Sequence, residues 1–412
     1  MQETHLLQTL NDQQEQFYKE EIILPREIDL KYYQNKKHII AITGMRRSGK
    51  STLLKLFGKQ QKGCYVRFDD VRLSNIQIQD YQKIEEYALQ HYKEPLTFYL
   101  DEIQDAPQWE RWVNDLFTKG YKVFITGSNA KLLNSELSTQ LTGRHIPIKL
   151  FTFSFKEKLQ QKNISYNTII TKTKAHILTQ LNEYLQQGGF PDIILTKDAS
   201  LARQYYQDII TKDILLRYSF RNKKDVEQFG LYTISNASKI ISYNKIRATI
   251  GIKSLETVKK YLDAFTESYI LYQLSKYDHS IKKQLANPTK IYAGEIGFIT
   301  QVGFAFSKNS GRVLENLAFL ELKRREQEIY YHKKKHECDF VIKQGTTITQ
   351  AIQVCYELTQ ENKQREIQGL IEACKEHKLQ EGTILTHNQE ETKKENNITI
   401  HIKPIWKWLL EN

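Results

Sequence analysis

The sequence predicts an α/β protein in which a parallel sheet with helices on both faces precedes a helical region and a mixed α/β region. Three observations support this fold class. Strand and helix patterns alternate between residues 38 and 150, which is typical of a parallel sheet. A glycine-rich loop lies between the first strand and the first helix of that region. Helical periodicity then dominates residues 151–225, and short strands surround a helix at 363–377 further on.

The composition of the 412-residue chain fits a folded protein with more than one domain. Hydrophobic residues account for 40% and charged residues for 26%, which argues against wholesale disorder. At roughly 150 residues per domain, the length suggests about two to three domains. No stretch approaches the ~18 uncharged apolar residues of a membrane-spanning helix, so we expect no membrane partner. The first residues lack the layout of a secretory signal, so we expect a cytoplasmic protein.

The chain is basic. Sixty Lys and Arg residues face 48 Asp and Glu residues, which gives a formal net charge of +12. Such a charge is typical of proteins that bind a polyanion, above all nucleic acid. It is equally typical of a well-hydrated, lysine-rich surface, so charge alone leaves both interpretations open.

We place the domain boundaries where the sequence patterns change. The first segment is a helical lead-in that ends near Pro25. The predicted segments are a lead-in at 1–35, a core of alternating strands and helices at 36–150, a helical region at 151–225, three short helices with a hairpin at 226–290, and a mixed α/β region at 291–412.

The core alternates short apolar runs with helical periodicity. The runs that predict strands are His38–Thr43, Cys64–Asp69, Leu96–Leu100 and Val123–Thr126. The segments that predict helices are Ser51–Phe57, Ile84–His91 and Gln108–Thr118. Because a helix separates each strand from the next, neighbouring strands are expected to run parallel.

Residues 44–51 match the whole pattern G-x-x-x-x-G-K-[ST] between a predicted strand and a predicted helix. The glycines let backbone N–H groups face a phosphate, and the helix N-terminus adds a positive dipole end. Lys50 would reach the β- and γ-phosphates, and Ser51 would ligate Mg²⁺. We therefore expect Mg²⁺ and a nucleoside triphosphate, ATP or GTP, as cofactors. The expected loop contacts are Gly44, Met45, Arg46, Arg47, Ser48, Gly49, Lys50, Ser51 and Thr52.

Two acids follow the apolar run at 96–100. Asp101 would hold Mg²⁺ through water, and Glu102 would polarise the attacking water; the alternative is a surface turn. A buried strand that ends in two acids costs solvation free energy unless a cation or water shares them. The run at 64–69 lies in sequence between Lys50 and Asp101, which implies the additional-strand type of nucleotide-binding sheet, with Glu102 as the base.

Two further polar positions are candidates for the same chemistry. Asn129, with Ser128 as the second choice, follows the fourth strand and would orient the water or sense the γ-phosphate. The alternative is a cap for a helix at 130–137. Arg144 would act as an arginine finger on a neighbouring subunit's nucleotide, which requires a homo-oligomer. A structural ion pair explains Arg144 equally well, and Arg217 is a weaker candidate.

Together these strings resemble bacterial and archaeal ATPases of the AAA superfamily that carry a C-terminal domain of unknown function. The similarity covers about residues 20–405. The matching strings are Thr43–Lys50, Leu100–Gln104, Thr126–Asn129, Leu141–Arg144, Gly188–Pro191 and Asp339–Phe340. The resemblance implies a P-loop NTPase core, a helical lid at 151–225, a winged helix at 226–290 and a domain similar to the PD-(D/E)xK nuclease fold at 291–412.

The winged-helix candidate has a helix whose polar side could face DNA. Ser242 and Ser254 can cap two successive helices, with Gly251 in the turn between them. Leu255, Val258, Leu262 and Phe265 form one apolar face of the second helix, and Lys259 and Lys260 lie on its open side. A hairpin from Tyr272 to Tyr292 would place wing lysines on phosphates; these are Lys276, Lys282, Lys283 and Lys290. The alternative is a winged helix used for packing.

A working nuclease of the resembled type needs an acid on a helix, an Asp in the second strand and a Glu-x-Lys in the third, which together bind a metal ion and activate water. Glu315 and Asp339 fit the first two places. The third place holds Gln353 and Cys355, and a thiol cannot replace a lysine cation. This predicts a degenerate or repurposed nuclease fold.

Two other residues could restore the nuclease site. Period-two alternation puts Glu357 on the face of Gln353 and Lys343 on the face of Asp339.

Three hypotheses follow for the function. The first is an Mg-dependent ATPase that moves the winged-helix and degenerate nuclease-like domains and acts on DNA or a DNA-bound partner. The second is an ATP-controlled binding or assembly switch with little turnover. A protein partner is the alternative to DNA. The third is an ATP-gated, metal-dependent DNA endonuclease.

Overall fold

The computed structural model describes residues 1–20, 23–129, 141, 143–166, 170–304 and 310–411. Within these ranges the chain forms two compact units, Met1–Thr152 and Phe153–Asn412. In the described part of the chain, no helix is both long and apolar enough to span a bilayer.

The first unit is built on a parallel sheet whose described strands follow the order β2-β3-β4-β1-β5. The strands are β1 (Ile39–Thr43), β2 (Cys64–Arg67), β3 (Thr97–Asp101), β4 (Lys122–Gly127) and β5 (His145–Lys149). This order is that of the additional-strand sheet expected from the sequence. In space the strand inserted between β1 and β3 is β4, whereas β2 lies at the edge.

Helices cover both faces of this sheet. They are α1 (Glu3–Tyr18), α2 (Leu30–Gln34), α3 (Lys50–Gln60), α4 (Asp80–His91) and α5 (Trp109–Thr118), with 3₁₀ turns at Val71–Leu73 and Ile103–Asp105. All five residues of β1 and of β3 are buried, as expected for strands covered on both faces. The predicted helix at 130–137 lies outside the described residues.

The backbone of β2, an edge strand of the sheet, is hydrogen-bonded by two glutamine side chains of α1 in place of a further strand. Gln14 of α1 accepts from the N–H of Tyr65 at 2.9 Å and donates to its carbonyl oxygen at 2.7 Å. Gln13 makes the same pair of bonds with Arg67, at 2.9 and 3.2 Å. Because an unpaired edge strand is a template for aggregation, α1 protects β2 while completing its hydrogen bonds.

The second unit contains two sheets in its described part. A three-stranded sheet has the order β6-β8-β7 and a six-stranded mixed sheet has the order β13-β14-β12-β11-β10-β9. The strands are β6 (Lys239–Ile240), β7 (Leu271–Leu274), β8 (Lys290–Ala293), β9 (Glu328–Lys333), β10 (Glu337–Gln344), β11 (Thr347–Val354), β12 (Glu381–Thr386), β13 (Glu391–Glu395) and β14 (Ile398–Pro404).

The described helices of the second unit fall into three groups along the chain. The first group is α6 (Phe155–Gln161), α7 (Thr171–Gln187), α8 (Pro191–Thr196), α9 (Leu201–Ile209), which continues as a π-helical segment at Ile210–Leu215, and α10 (Leu216–Tyr218). The second is α11 (Lys223–Ser235), α12 (Tyr243–Ile250), α13 (Leu255–Glu267) and α14 (Ile281–Ala286). The third is α15 (Ile296–Gln301), α16 (Ser310–Arg324), α17 (Lys363–Glu376) and α18 (Ile405–Leu409).

The predicted hairpin is present, with an addition. β7 and β8 pair antiparallel, with Tyr272 opposite Tyr292. The connection between them contains α14, which the sequence analysis did not anticipate. The six-stranded sheet likewise contains β13, a polar edge strand that was not predicted. β13 carries little apolar periodicity and is stabilised by its antiparallel pairing with β14, whereas no residue of α14 is buried.

Candidate nucleotide site and C-terminal carboxylate site

The phosphate loop leaves β1 and enters α3 through backbone conformations that favour glycine. Gly49, directly before α3, has φ 97°, and Arg47 has φ 67°, a left-handed value that costs a side-chain-bearing residue free energy and is often found at binding sites. A Cβ atom on Gly44 would lie 2.2 Å from the carbonyl oxygen of Leu150. The glycine at this position is therefore required by close approach of the chain after β5.

Lys50 lies between the loop and the acidic pair. Its side chain is 4% exposed, and its ammonium donates to the carbonyl oxygens of Gly44 at 3.2 Å and Met45 at 3.3 Å. The ammonium also lies 3.6 Å from Oε1 of Glu102. The structure thus brings Lys50 beside the pair of acids at the end of β3, as the sequence predicts.

Asp101 is a buried carboxylate held by three hydroxyl groups. Tyr65 donates to its Oδ2 at 2.9 Å, and Thr126 donates to its Oδ1. Ser51, at the start of α3, also makes a side-chain hydrogen bond to Asp101. Burial, followed by the charge of Glu102, raises the pKa of Asp101 despite these bonds. A cation near Ser51 and Asp101 would offset that cost.

The pKa of Glu102 is shifted in the opposite direction from that of Asp101. Burial by itself would raise its pKa, but Lys50, Gln104 and Arg46 together bring the pKa below its ordinary value. Gln104 donates to Oε2 at 2.7 Å, and the backbone N–H of Glu102 donates to Thr126 Oγ1 at 2.9 Å. Glu102 is therefore an ionised, oriented carboxylate, which suits a group that polarises water.

The loop fits a phosphate group on evidence beyond the motif. Oγ1 of Thr43 and Oγ of Ser48 are buried and have no hydrogen-bond partner among the residues that the structure describes. Buried polar atoms of this kind normally have a partner. Both belong to the segment that begins the loop, and a phosphate oxygen or a hydrated cation would supply what they lack. Thr52 lies exposed in the first turn of α3.

Ser128 and Asn129 follow β4, at the same end of the parallel strands as the phosphate loop. Both are buried, with exposures of 1% and 5%, and Gly127 is in register with Thr43. This position agrees with the expected one. Their role in orienting water stays a prediction.

Arg144 lies directly before β5, at the end of the strands opposite to the loop. Its carbonyl oxygen accepts from Ile39 N–H at 2.9 Å, at the start of β1, and its guanidinium donates to the side chain of Asn114. The side chain is exposed. In the parallel sheet the loop lies at the other end of β1, so Arg144 is not part of the site formed by Lys50. Arg217, in the second unit, lies 3.8 Å from Asp213.

Sequence reasoning missed three residues that support the site. Thr126 bridges both acids, and Tyr65 holds one of them. Arg26 donates to the carbonyl oxygens of Ser48 at 3.0 Å and Phe151 at 2.7 Å, which braces the loop. Thr126 carried a signal, since it is the last polar residue of a strand adjoining β3. Arg26 carried none, because its partners are distant in sequence.

The C-terminal unit brings the expected nuclease-like residues together. Asp339 of β10 donates its backbone N–H to Gln353 Oε1 at 3.2 Å and accepts from Val354 N–H at 3.0 Å. Cys355 follows β11 and is buried, and burial raises the pKa of its thiol to about 12. It is therefore a neutral thiol at physiological pH, as the degenerate interpretation requires.

The expectation that Lys290 is a wing lysine that contacts DNA phosphates is wrong. Its side chain is 2% exposed, and its ammonium lies 2.7 Å from Glu315, 2.8 Å from Asp339 and 2.9 Å from Glu337. Burial opposes the ammonium charge, but these carboxylates hold the pKa of Lys290 well above its usual value. The error arose because β8 directs this lysine into the protein, whereas charge patterning alone suggested a surface.

The structure places both proposed rescue residues away from this cluster. Lys343 is paired with Glu328 at 2.8 Å. Opposite β9, β10 contains one extra residue between Cys338 and Val341, so simple alternation from Asp339 fails there. Glu357 is exposed beyond the end of β11.

Helix α13 has the expected caps and much of the expected apolar face. Ser254 accepts from the backbone N–H groups of residues 256 and 257 at 3.0 and 3.4 Å. Val258, Leu262 and Phe265 are buried, whereas Leu255, predicted to share that face, is 38% exposed. Leu255 is the first residue of the helix, where the packing partners end. The open side carries two exposed lysines, as predicted.

Comparisons with known proteins agree with this picture of the chain. Profiles of three families match: an AAA domain over residues 36–159, a domain of unknown function (DUF8612) over 178–308 and a domain of unknown function (DUF4143) over 310–408. The uncharacterized protein MJ1544 of Methanocaldococcus jannaschii is 35% identical over 414 residues, which cover 94% of this chain and 91% of that protein.

More distant similarities extend across several lineages. An uncharacterized protein of Haemophilus influenzae is 28% identical over 345 residues, which cover 79% of this chain and 84% of that protein. Among solved structures, the Walker-type ATPase PABY2304 of Pyrococcus abyssi superimposes with a TM-score of 0.41 at 14% identity, over 69% of this chain and 100% of that one.

Proposed function

The chain belongs to a family of AAA-type ATPases with C-terminal domains of unknown function, and from this premise we propose that it binds and hydrolyses Mg-ATP. The observation that carries the proposal is the arrangement around the loop. Lys50 lies 3.6 Å from Glu102, while Asp101 is bonded to Ser51 and Thr126. The ammonium of Lys50, a hydroxyl–carboxylate pair that could hold a cation, and the carboxylate of Glu102 therefore lie together at the carboxyl ends of β1 and β3.

The roles follow from the chemistry of each group. Backbone N–H groups of residues 44–51 and the ammonium of Lys50 hold the phosphates. Ser51 and Asp101 would hold Mg²⁺, whose charge stabilises the oxygens that become more negative during transfer. Glu102 polarises the attacking water, and Thr126 keeps the two acids apart and oriented. Catalysis is mainly electrostatic and positional, as in other phosphoryl transfers.

We extend the proposal to the neighbouring subunit and to the partner. Arg144 is exposed at the sheet edge away from its own loop, which favours a role on the nucleotide of an adjacent copy. Hydrolysis would drive movement in the second unit, where α11, β6, α12, α13, β7 and β8 follow in the order of a winged helix. The exposed lysines of α13 and the net charge of +12 favour DNA or a DNA-bound partner.

Phosphate release from ATP by wild type and Lys50→Ala tests the proposal, with Lys59→Ala on the exposed side of the same helix as the control. We expect activity in wild type and the control and none in Lys50→Ala. Equal phosphate release from wild type and Lys50→Ala contradicts the proposal. A nucleotide-dependent change in oligomer mass without phosphate release would favour the assembly switch instead.

The DNA extension has its own test. Affinity for duplex DNA should fall steeply as salt rises, because a basic surface releases counterions condensed on the phosphates. A flat salt response, or no DNA binding at low salt, would favour a protein partner.

A further inference from the structure

The buried cluster around Lys290 has the composition of a cation site. Oxygen atoms of Glu315, Glu337 and Asp339 lie 2.7 to 2.9 Å from one ammonium group. The hydroxyl of Tyr292 donates to Glu315 Oε1 at 2.7 Å. These residues come from α16, β10 and β8, so tertiary structure alone assembles the cluster.

The ammonium uses the oxygens that a metal ion would need. A lysine ammonium has three N–H donors and no acceptor, and three carboxylates surround this one. Oδ1 of Asp339 faces Lys290, and Oδ2 of Asp339 accepts from the backbone N–H of Val354 at 3.0 Å. Mg²⁺ requires oxygen ligands at about 2.0–2.1 Å in near-octahedral geometry, so it could not enter while the ammonium remains.

The acids of the cluster also have partners besides Lys290. Glu337 lies 3.1 Å from the ammonium of Lys333, Glu315 accepts from the hydroxyl of Tyr292 at 2.7 Å, and Asp339 accepts from the backbone N–H of Val354 at 3.0 Å. The protein itself therefore supplies every carboxylate of the cluster with at least two partners.

We propose that the ammonium of Lys290 permanently replaces the divalent cation of this nuclease-like site. The carboxylates then fasten the β7–β8 hairpin to the six-stranded sheet instead of binding metal, and the C-terminal domain cleaves no nucleic acid. The rival interpretation is a catalytic lysine that has moved to another strand. That role would require the ammonium of Lys290 to leave all three carboxylates when a metal ion binds, and the wild-type protein would then bind Mn²⁺.

Metal binding to the full chain tests this exchange. Mn²⁺ is titrated, without nucleotide, into wild type, the single variant Lys290→Ala and the double variant that combines Lys290→Ala with Asp339→Asn. The control is Lys334→Ala, which removes a lysine paired with Glu376 at the surface. Bound Mn²⁺ is measured by electron paramagnetic resonance, and the melting temperature with and without Mn²⁺ is recorded. We expect Lys290→Ala to gain one Mn²⁺ per chain over wild type and to melt higher with the metal.

The added site should disappear in the double variant and be absent in Lys334→Ala. Failure of folded Lys290→Ala to gain Mn²⁺ overturns the proposal. So does Mn²⁺ bound to wild type and lost in Glu315→Gln, a comparison that stands even if Lys290→Ala does not fold. Plasmid incubated with Mg²⁺ or Mn²⁺ should remain intact with wild type. Cleavage that Asp339→Asn abolishes would also overturn it.

Discussion

Two lysines of this molecule face clusters of acidic residues, and they differ in how many carboxylates each one contacts. Lys50 lies 3.6 Å from Glu102 and shares its other donors with two loop carbonyl oxygens at 3.2 and 3.3 Å. Lys290 lies within 2.9 Å of three carboxylates. The first lysine is held loosely enough to meet a ligand, and the second already has its ligands.

The difference shows that residue types alone do not define a site. Both regions contain a lysine, an aspartate, a glutamate and a tyrosine that donates to a carboxylate. The phosphate loop adds a curled backbone and hydroxyl groups without partners among the described residues. The C-terminal cluster offers no comparable contacts to a ligand, because its acids and its lysine are bonded to one another.

Glu102→Gln should produce the largest functional effect and would show that the first region is catalytic. The amide keeps the shape but cannot polarise water, so we expect hydrolysis to fall by about 10²- to 10⁴-fold. Nucleotide binding should remain, since Lys50 and the loop are unchanged. Phosphate release and fluorescent-nucleotide binding measure the two effects, with Glu86→Gln on the exposed side of α4 as the control. Unchanged hydrolysis would remove Glu102 from the mechanism.

Lys290→Met and Lys50→Met should separate stability from activity. Removing Lys290 leaves buried acids without their cation, so we expect a loss of about 3–5 kcal/mol in the free energy of unfolding. Lys50→Met should cost less than about 1.5 kcal/mol, because it removes two long hydrogen bonds and a distant ion pair. Urea denaturation measures both. The variant that combines Lys290→Met, Glu315→Gln and Asp339→Asn should recover most of the loss. Equal losses for the two single variants would erase the contrast.

Thr126→Val tests whether the first site depends on an oriented acid pair. The hydroxyl donates to Asp101 and accepts from the backbone of Glu102. Loss of hydrogen bonds to a charged group costs about 1.5–3 kcal/mol, which corresponds to roughly 10- to 100-fold in hydrolysis rate if the pair loses its alignment. Thr118→Val, at an exposed threonine of α5, is the matched control. Identical rates for Thr126→Val and wild type would reduce Thr126 to packing.

The smallest effects should come from the two tyrosines. Tyr65 donates to Asp101 at 2.9 Å and Tyr292 donates to Glu315 at 2.7 Å. Tyr65→Phe should slow hydrolysis a few-fold, whereas Tyr292→Phe should lower stability by about 1 kcal/mol. Steady-state kinetics and thermal melting of both variants provide the comparison. A reversal, with Tyr292→Phe changing only the hydrolysis rate, would argue that the second site takes part in catalysis.

The sequence predicted the features that depend on neighbouring residues, and it missed a contact between residues that are far apart in the chain. The phosphate loop, Asp101 and Glu102 were predicted because each lies directly beside a strand whose apolar pattern is local. The structure also brings together Glu315, Asp339 and Gln353, which the resemblance to the nuclease fold had grouped. Lys290 was assigned to the surface because its partner Asp339 is 49 residues away in the chain.

The sequence by itself determined the parallel sheet, the loop that follows β1 and the acids that end β3, since periodicity and adjacent motifs act over a few residues. Only the tertiary structure decided which lysine keeps room for a ligand. Burial makes a charge costly, and only the packed arrangement determines whether that cost is met by the protein's own acids or by a bound molecule. For Lys290 the fold supplies three acids, whereas Lys50 has one carboxylate at 3.6 Å and two loop carbonyl oxygens at 3.2 and 3.3 Å.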